Sequence, residues 1–353
     1  MMNYNKIKSL FVHFVFTRSF TFRRFFNLAL IHFQKNITKN SCIIGYPYKL
    51  YIDPSSICNL HCPLCPAGQR REGRSRGVMK FETFKKIIDE LSPYLYEISI
   101  HNWGEPLVNE DFFRMVKYAH DRKIKTVTSS NLNLLNEKKA EKIVRSGLDW
   151  LTVSIDGSSP ETYSKYRIGG NFNKVIENIK RIQKKKKELK RSTPIVNWQF
   201  LVMRQNEHEI EKARKMAKEL GIEISFDMMR ADFGKEIMED DKTRIKNAMK
   251  FLPLNEKYCR YDYEKMERKV KIKTCPFLWT QAAINWNGSV APCCAVWEEK
   301  YDFGNINDQS FKKIWNSKIY RFSRELISKK GKIKNKEKIR TICANCLRYG
   351  FPD

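Results

Sequence analysis

Cys58-Asn59-Leu60-His61-Cys62-Pro63-Leu64-Cys65 sets three thiols within eight residues, in the spacing CxxxCxxC. A strand-like run, Tyr48-Lys49-Leu50-Tyr51-Ile52-Asp53, leads into it, and Pro63, Pro66 and Gly68 mark it as a loop. A loop this short can wrap one corner of an iron–sulfur cube, each thiolate holding one iron. The fourth iron is then left without a local ligand. Such a vacancy takes a chelating small molecule, as the open position of a catalytic metal does. Half of a zinc site is the plainer alternative, although zinc sites usually pair their cysteines as CxxC.

The 353 residues suffice for one large core plus a smaller module. Hydrophobic residues make up 42% and mean hydropathy is −0.56, which reads as a soluble globular chain. Lys and Arg number 67 against 39 Asp and Glu, a formal net charge of +28. An excess of that size points to nucleic acid, an anionic membrane surface or an acidic substrate. Part of it lies in two runs, 181–191 and 329–340, that read as solvated faces, so no nucleic-acid partner is expected. Ten cysteines in a secreted chain would make disulfides. No signal peptide with a short apolar core is evident, so the clusters read as metal ligands in a reducing cytoplasm.

Residues 1–45 form a basic aromatic arm, rich in Phe and Arg from Leu10 to Phe33. Its apolar runs fall short of the ~18 residues that a membrane span needs. Aromatic residues mixed with arginine fit helices lying on a membrane surface, and fit equally well helices packed on the protein's own core. The first reading makes residues 7–34 a contact with anionic lipid and the protein peripheral on the inner face of the membrane.

From Tyr48 to Asp227 strand-like runs at 49–53, 96–101, 124–129, 150–156, 195–203 and 222–227 alternate with helical stretches at 80–91, 109–122, 136–146, 160–188 and 207–220. Strands alternating with amphipathic helices make parallel βαβ units. Six units are too few for a closed eight-stranded barrel, so the fold class expected is α/β, with an open (β/α)6 partial barrel over 46–230. Chemistry in such barrels gathers where the strands end, and the triple-cysteine loop follows the first strand. Residues 231–274 read as linker helices, and 275–353 as a small cysteine-rich α+β domain.

The cysteine loop, with Leu64 before its last thiol, resembles the radical SAM superfamily. The resemblance implies an open iron that binds the amino and carboxylate groups of S-adenosylmethionine, and an electron that cleaves the sulfonium to a 5′-deoxyadenosyl radical, which takes a hydrogen atom from the substrate. His101-Asn102-Trp103-Gly104-Glu105-Pro106 looks like the family's Gly-Gly-Glu-Pro segment, with Trp103 in place of the first glycine. It implies that Gly104 and Glu105 offer acceptors to the methionine ammonium, which carries only donors. Asn131 stands where the family places a polar residue near the cofactor. Ser154-Ile155-Asp156-Gly157 resembles the family's Ser-(Ile/Leu)-Asp-Gly segment, implying Ser154 beside the cofactor and Arg167 on its carboxylate through paired hydrogen bonds. Asp156 is either a support for the ribose or a helix cap. Asn197, Gln199 and Asp227 are candidates for the cavity wall.

A second cysteine set runs from Cys275 through Cys293-Cys294 to Cys343-Ala-Asn-Cys346, and Asn287-Gly288 between apolar runs signals a tight hairpin that brings Cys275 and Cys293 together. Four thiolates suit a fully ligated [4Fe–4S] cluster or a structural zinc. With Gly304-Asn305-Ile306 and Ile314-Trp315-Asn316-Ser317 between, the segment resembles a SPASM domain or its shortened twitch form. The resemblance implies one auxiliary cluster on Cys275, Cys293, Cys343 and Cys346, with Cys294 an alternative ligand. It also implies an electron donor such as flavodoxin or ferredoxin. The expected function is oxidation or another modification of a small-molecule sugar or cyclitol, a lipid-linked glycan, or a peptide. Two rivals remain: a zinc-stabilised, basic nucleic-acid-binding protein, and an iron–sulfur electron carrier that does not turn over S-adenosylmethionine.

Overall fold

A computed structural model describes residues 19–39, 41–230, 245–246, 248–269, 275, 277–329, 339–344 and 346. Residues 7–18 of the expected lipid contact, much of the expected linker and most of the basic run at 329–340 lie outside them. In chain order the elements are α1 (Phe22–Phe33), β1 (Lys49–Ile52), α2 (Phe81–Leu91), β2 (Glu97–Ser99), α3 (Phe112–Asp121), β3 (Lys125–Ser130), α4 (Glu137–Arg145), β4 (Trp150–Ser154), α5 (Pro160–Ser164), α6 (Phe172–Glu188), β5 (Ile195–Val202), α7 (Ile210–Leu220) and β6 (Glu223–Met228). The C-terminal part adds β7 (Tyr261–Asp262), β8 (Glu267–Arg268), α8 (Phe277–Thr280), β9 (Gln281–Ile284), β10 (Val290–Ala291), α9 (Phe311–Trp315) and α10 (Lys318–Ser328).

Each long helix buries one stripe. In α2, Phe81, Phe84, Ile87, Ile88 and Leu91 are buried, a spacing that places them on one face. The strands alternate, with Leu50 and Ile52 buried under the helices while Lys49 and Tyr51 face the other way. Strands β1 to β6 pair in parallel, each with the next. The sheet does not stop at six strands. β9 pairs in parallel with β1, from Lys49 opposite Gln281 to Ile52 opposite Ile284, and β10 pairs antiparallel with β9. The order is β10-β9-β1-β2-β3-β4-β5-β6. The C-terminal hairpin thus completes the edge of the barrel sheet. An edge strand leaves a row of backbone groups unpaired, and periodicity carries no signal for which hairpin will take them.

Three local differences follow from side chains. The helix expected over 160–188 breaks into α5 and α6. Gly169, at φ +86°, takes a left-handed turn between them, and the Ile168 carbonyl accepts from His61 N at 2.9 Å. α9 and α10 are parted at Asn316, whose amide clasps Ile43 N and O at 3.0 and 2.8 Å. Ser317 then caps α10 by accepting from the Tyr320 N–H. Of the segment expected as linker helices, residues 261–268 form the β7–β8 pair. Ile245, Ala248, Phe251 and Leu252 are buried in one cluster with Leu60 and Cys62 of the cysteine loop.

Candidate functional site

The site is built where β1 to β4 end. The loop after β1 carries Cys58, Cys62 and Cys65, none in a disulfide. Its turn is closed by Cys65 N donating to Cys62 O at 3.1 Å, and by the Gln69 amide donating to the carbonyls of His61 and Cys62 at 3.1 and 3.0 Å. Burial pushes the Cys58 thiol up to about 12 and the Cys62 thiol up to about 11, and the neighbouring thiols push the same way. The Cys58 and Cys62 thiols thus resist ionising unless a cation joins them, and bound iron reverses that preference. Soft, clustered sulfurs are the donor set of an iron–sulfur cluster. Among the described residues no three Cys, His, Asp or Glu side chains meet closely enough to hold one metal ion. Thiolates that each bind a separate iron of a cube need not meet at a point.

Gly104 and Glu105, after β2, are clipped to the start of this loop by Glu105 N donating to Ile57 O at 2.9 Å. A Cβ at Gly104 would stand 2.0 Å from the Ser55 carbonyl oxygen, so only glycine fits. The buried Glu105 carboxylate accepts from Ser130 Oγ at 2.6 Å, Asn131 N at 2.8 Å and Leu107 N at 3.1 Å. Burial raises its pKa, and these donors oppose the rise. The expected acceptor for an ammonium therefore also ties β2 to the end of β3. The Asn131 amide lies 3.8 Å from Cys58 Sγ and donates to Asn59 Oδ1 at 3.0 Å. Ser154, at the end of β4, shares a hydrogen bond of 3.2 Å with Ser129.

Arg167 Nε donates to Asp156 Oδ2 at 2.6 Å, and its Nη1 lies 3.9 Å from Cys62 Sγ. Burial lowers the Arg167 pKa, but Asp156 and Cys62 outweigh it and hold the guanidinium charged. Asp156 is not a helix cap. Ser159 caps α5 instead, and the second Asp156 oxygen accepts from Leu201 N at 2.9 Å. Of the eight residues expected at the first site, Cys58, Cys62, Cys65, Gly104, Glu105, Asn131 and Ser154 come from the ends of neighbouring strands and the loops that follow them, and Arg167 from the turn between α5 and α6. Gln199 and Asn197 sit one strand further on, bonded across to Asp227 at 2.8 Å and Ser225 at 3.1 Å.

Cys275, Cys293, Cys343 and Cys346 line one small cavity, closed by Leu278 and Ile342. Burial raises the Cys293 thiol, with Cys294, Cys346 and Cys275 adding to the rise, and pushes Cys343 up to about 12. Four soft donors around one cavity fit a fully ligated cluster. Cys294 is outside the lining of that cavity. Burial raises it, and Arg230 and Lys49 at the barrel pull it back. Cys259 donates to Tyr261 O at 3.0 Å, and Cys42 is exposed.

Residues 52–217 match the family model described as the radical SAM superfamily, and residues 275–347 match SPASM, described as an iron–sulfur cluster-binding domain. The chain belongs to the radical SAM superfamily. It is 27% identical over 325 residues to the AdoMet-dependent heme synthase of Methanosarcina barkeri, covering 83% of this chain and 89% of that one. It is 25% identical over 299 residues to the tungsten-containing aldehyde ferredoxin oxidoreductase cofactor-modifying protein of Pyrococcus furiosus, covering 78% and 82%. In fold it resembles SuiB of Streptococcus suis bound to S-adenosylmethionine, with TM-score 0.61, 15% identity, and coverage of 88% and 74%. It also resembles anSMEcpe with bound AdoMet, with TM-score 0.56, 19% identity, and coverage of 85% and 89%. The protein is accordingly an enzyme, whose cofactors are S-adenosylmethionine and iron–sulfur clusters in the radical SAM and SPASM domains.

For this radical SAM protein several supporting residues escaped the sequence reading. Asp53 is fully buried and its Oδ1 accepts from Trp103 N at 3.2 Å, holding the turn before Gly104. Its place directly before the cysteine loop was the available signal. Trp103 departs from the family's glycine, and its ring packs edge-on against Trp297 of the SPASM domain at 5.3 Å. Arg74 bonds both oxygens of Asp302 at 2.9 Å and the Trp297 carbonyl at 2.5 Å. The segment after the cysteine loop is therefore bolted to the second cysteine domain.

Proposed function

We propose that the protein oxidises or otherwise modifies a polar small molecule, glycan or peptide by hydrogen-atom abstraction. The observation that carries this is the joining of the CxxxCxxC loop to Gly104-Glu105 through the Glu105 N to Ile57 O bond. When bound, the cluster held by Cys58, Cys62 and Cys65 supplies the electron that cleaves S-adenosylmethionine to the radical that removes the hydrogen. Gly104 leaves room for backbone acceptors at the methionine ammonium, Asn131 and Ser154 present amide and hydroxyl groups beside it, and Arg167 presents its guanidinium to the carboxylate. Asp156 holds that guanidinium in place.

The inner face of the sheet supports a polar substrate. Lys49 and Lys125 flank Glu97 at 2.7 and 3.4 Å, and the Asn197–Ser225 and Gln199–Asp227 pairs continue the wall. Hydroxyl or carboxylate groups find both donors and acceptors there. In this reading residues 46–230 bind S-adenosylmethionine. Cys275, Cys293, Cys343 and Cys346 would hold an auxiliary cluster in 275–353, which would supply an acceptor for the electron given up when the substrate radical becomes the oxidised product. The reading makes the enzyme cytoplasmic and peripheral on the inner face of the membrane, drawing electrons from a flavodoxin or ferredoxin. The test is anaerobic reconstitution with iron and sulfide, then reductant and S-adenosylmethionine. Release of 5′-deoxyadenosine by the native chain, and its loss in Cys58→Ala, Cys62→Ala and Cys65→Ala, supports the reading. A reconstituted protein that binds iron but releases none returns the electron-carrier alternative.

A further inference from the structure

Helix α1 is inside out. Its inward face carries Arg24, Asn27, Ile31 and Gln34, all buried, and three of these four are polar. Arg24 is caged by carbonyls, donating to Ser19 O at 2.7 Å, Lys123 O at 2.8 Å, and Ser92 O and Arg122 O at 2.9 Å. The Asn27 amide clasps Tyr46 N and O, both at 2.8 Å, and Gln34 Oε1 accepts from Ile44 N and Gly45 N at 3.1 and 3.3 Å. The outward face carries Phe22, Phe26 and Phe33, exposed by 75%, 67% and 53%, followed by Ile37 at 68% and flanked by Ile44 at 75%. A helix on a water-exposed surface shows the opposite pattern, apolar side inward and polar side outward. This one satisfies its polar groups on the protein and turns its apolar stripe away from it.

We propose that this stripe seats in the surface of an anionic lipid bilayer. An exposed contiguous apolar patch marks a site of interaction. Charge selects the occupant. No Asp or Glu precedes Asp53, while Arg23, Lys39 and Lys123 are exposed around the helix. The preceding sequence repeats the composition, with Phe11, Phe14 and Phe16 between Lys8 and Arg18. Phenylalanine in the acyl boundary with Lys and Arg on headgroup phosphates is the pattern of an interfacial helix. The position also fits. The Arg24 cage is made by the turns that precede β2 and β3, so α1 lies where the strands begin, while the cysteine loop lies where they end. Docking through α1 leaves the S-adenosylmethionine end clear of the bilayer. It also brings the lysine-lined start of the inner face, Lys49 and Lys125, near the headgroups.

The test uses the full chain, extruded vesicles of phosphatidylglycerol and phosphatidylcholine, and vesicles of phosphatidylcholine alone. The native protein is expected to sediment with the anionic vesicles at low salt, and less so at high salt. The triple variant Phe22→Ser, Phe26→Ser, Phe33→Ser is expected to bind at least about tenfold more weakly. None of the three contributes to the Arg24, Asn27 and Gln34 anchors, so unfolding temperature and 5′-deoxyadenosine release in solution are expected to persist. That release separates failure here from failure of the catalytic reading. In Phe26→Trp, a blue shift on adding anionic vesicles of the emission in excess of the native chain's seven tryptophans supports insertion. Equal sedimentation of native and triple-variant proteins overturns the proposal. So does a native dimer that the triple variant dissolves without any vesicle binding, which assigns the stripe to a second copy. A difference spectrum of Phe26→Trp minus the native chain, which removes the seven native tryptophans, that is already blue-shifted before vesicles are added and unchanged by them also overturns it and assigns the stripe to cover by the chain itself.

Discussion

At the scale of single residues, the carboxylates behind the site act through other groups. Asp156 is fully buried and pairs with Arg167 at 2.6 Å. Asp156→Asn preserves shape but leaves a largely buried guanidinium without its counter-charge, a loss on the order of 3 kcal/mol. Thermal unfolding of the reconstituted protein is expected to fall, and equilibrium dialysis to show weaker S-adenosylmethionine binding, with iron content retained. Asp53 differs in kind. Burial holds its carboxyl up at about 7, despite donors at Trp103, Gly104 and Ser55 and the charge of Arg74. Its Oδ2 is buried with no hydrogen-bond partner among the described residues. An acid whose folded pKa is raised binds its proton more tightly in the native state. Stability is therefore lost as pH rises from about 4, the unfolded value, to about 7, and is flat above that. Unfolding temperatures of the native chain and Asp53→Asn, compared between pH 5 and 8, are expected to diverge in favour of the variant as pH rises to 7. A constant difference would contradict the assignment.

At the scale of elements, two buried arginines fasten what the barrel helices do not. Arg74 joins the segment after the cysteine loop to Asp302 and Trp297. Both ion-pair partners are nearly inaccessible, with side-chain exposures of 0% and 6%. Arg74→Ala therefore leaves a buried carboxylate unpaired and is expected to cost on the order of 3–5 kcal/mol. Limited proteolysis is the readout, with faster cutting between the two cysteine domains. Arg24 does the same for α1 by capping carbonyls of the turns after α2 and α3. Arg24→Gln keeps one donor group in place of the guanidinium fork, so about 1.5–3 kcal/mol per lost charged bond is forfeited. Cleavage within residues 20–40 is expected to accelerate while the barrel resists.

At the scale of the whole molecule, the continuous sheet makes the two cysteine domains one mechanical unit. β9 lends β1 a full set of parallel pairs, and β1 carries the cysteine loop at its end. A chain cut after residue 274 would expose the β1 edge, and unpaired edges invite association with other chains. Such a fragment is expected to elute in the void volume on gel filtration. A soluble monomer would show that the barrel stands without its hairpin. The same continuity lets Trp103, beside Gly104, touch Trp297 in the other domain.

Periodicity and punctuation in the sequence determined the six parallel strands and their helices. Cysteine spacing grouped Cys58, Cys62 and Cys65 in one short loop and brought Cys275 to Cys293 across one hairpin, because such sets are local, while Cys343 and Cys346 were joined to them only by the resemblance. Gly169-Gly170 punctuates the first helix break in the sequence, but its partner His61, and the break at Asn316 held by Ile43, were not legible, since those partners are distant in the chain. Nor was the pairing of β9 with β1, the cage around Arg24, or the use of Asp156 as a brace for Arg167. Only tertiary structure decided these. A buried charge or an open strand edge must be satisfied by whatever backbone the fold brings near it, and here that neighbour lies far along the chain, Lys123 for Arg24 and Gln281 for Lys49.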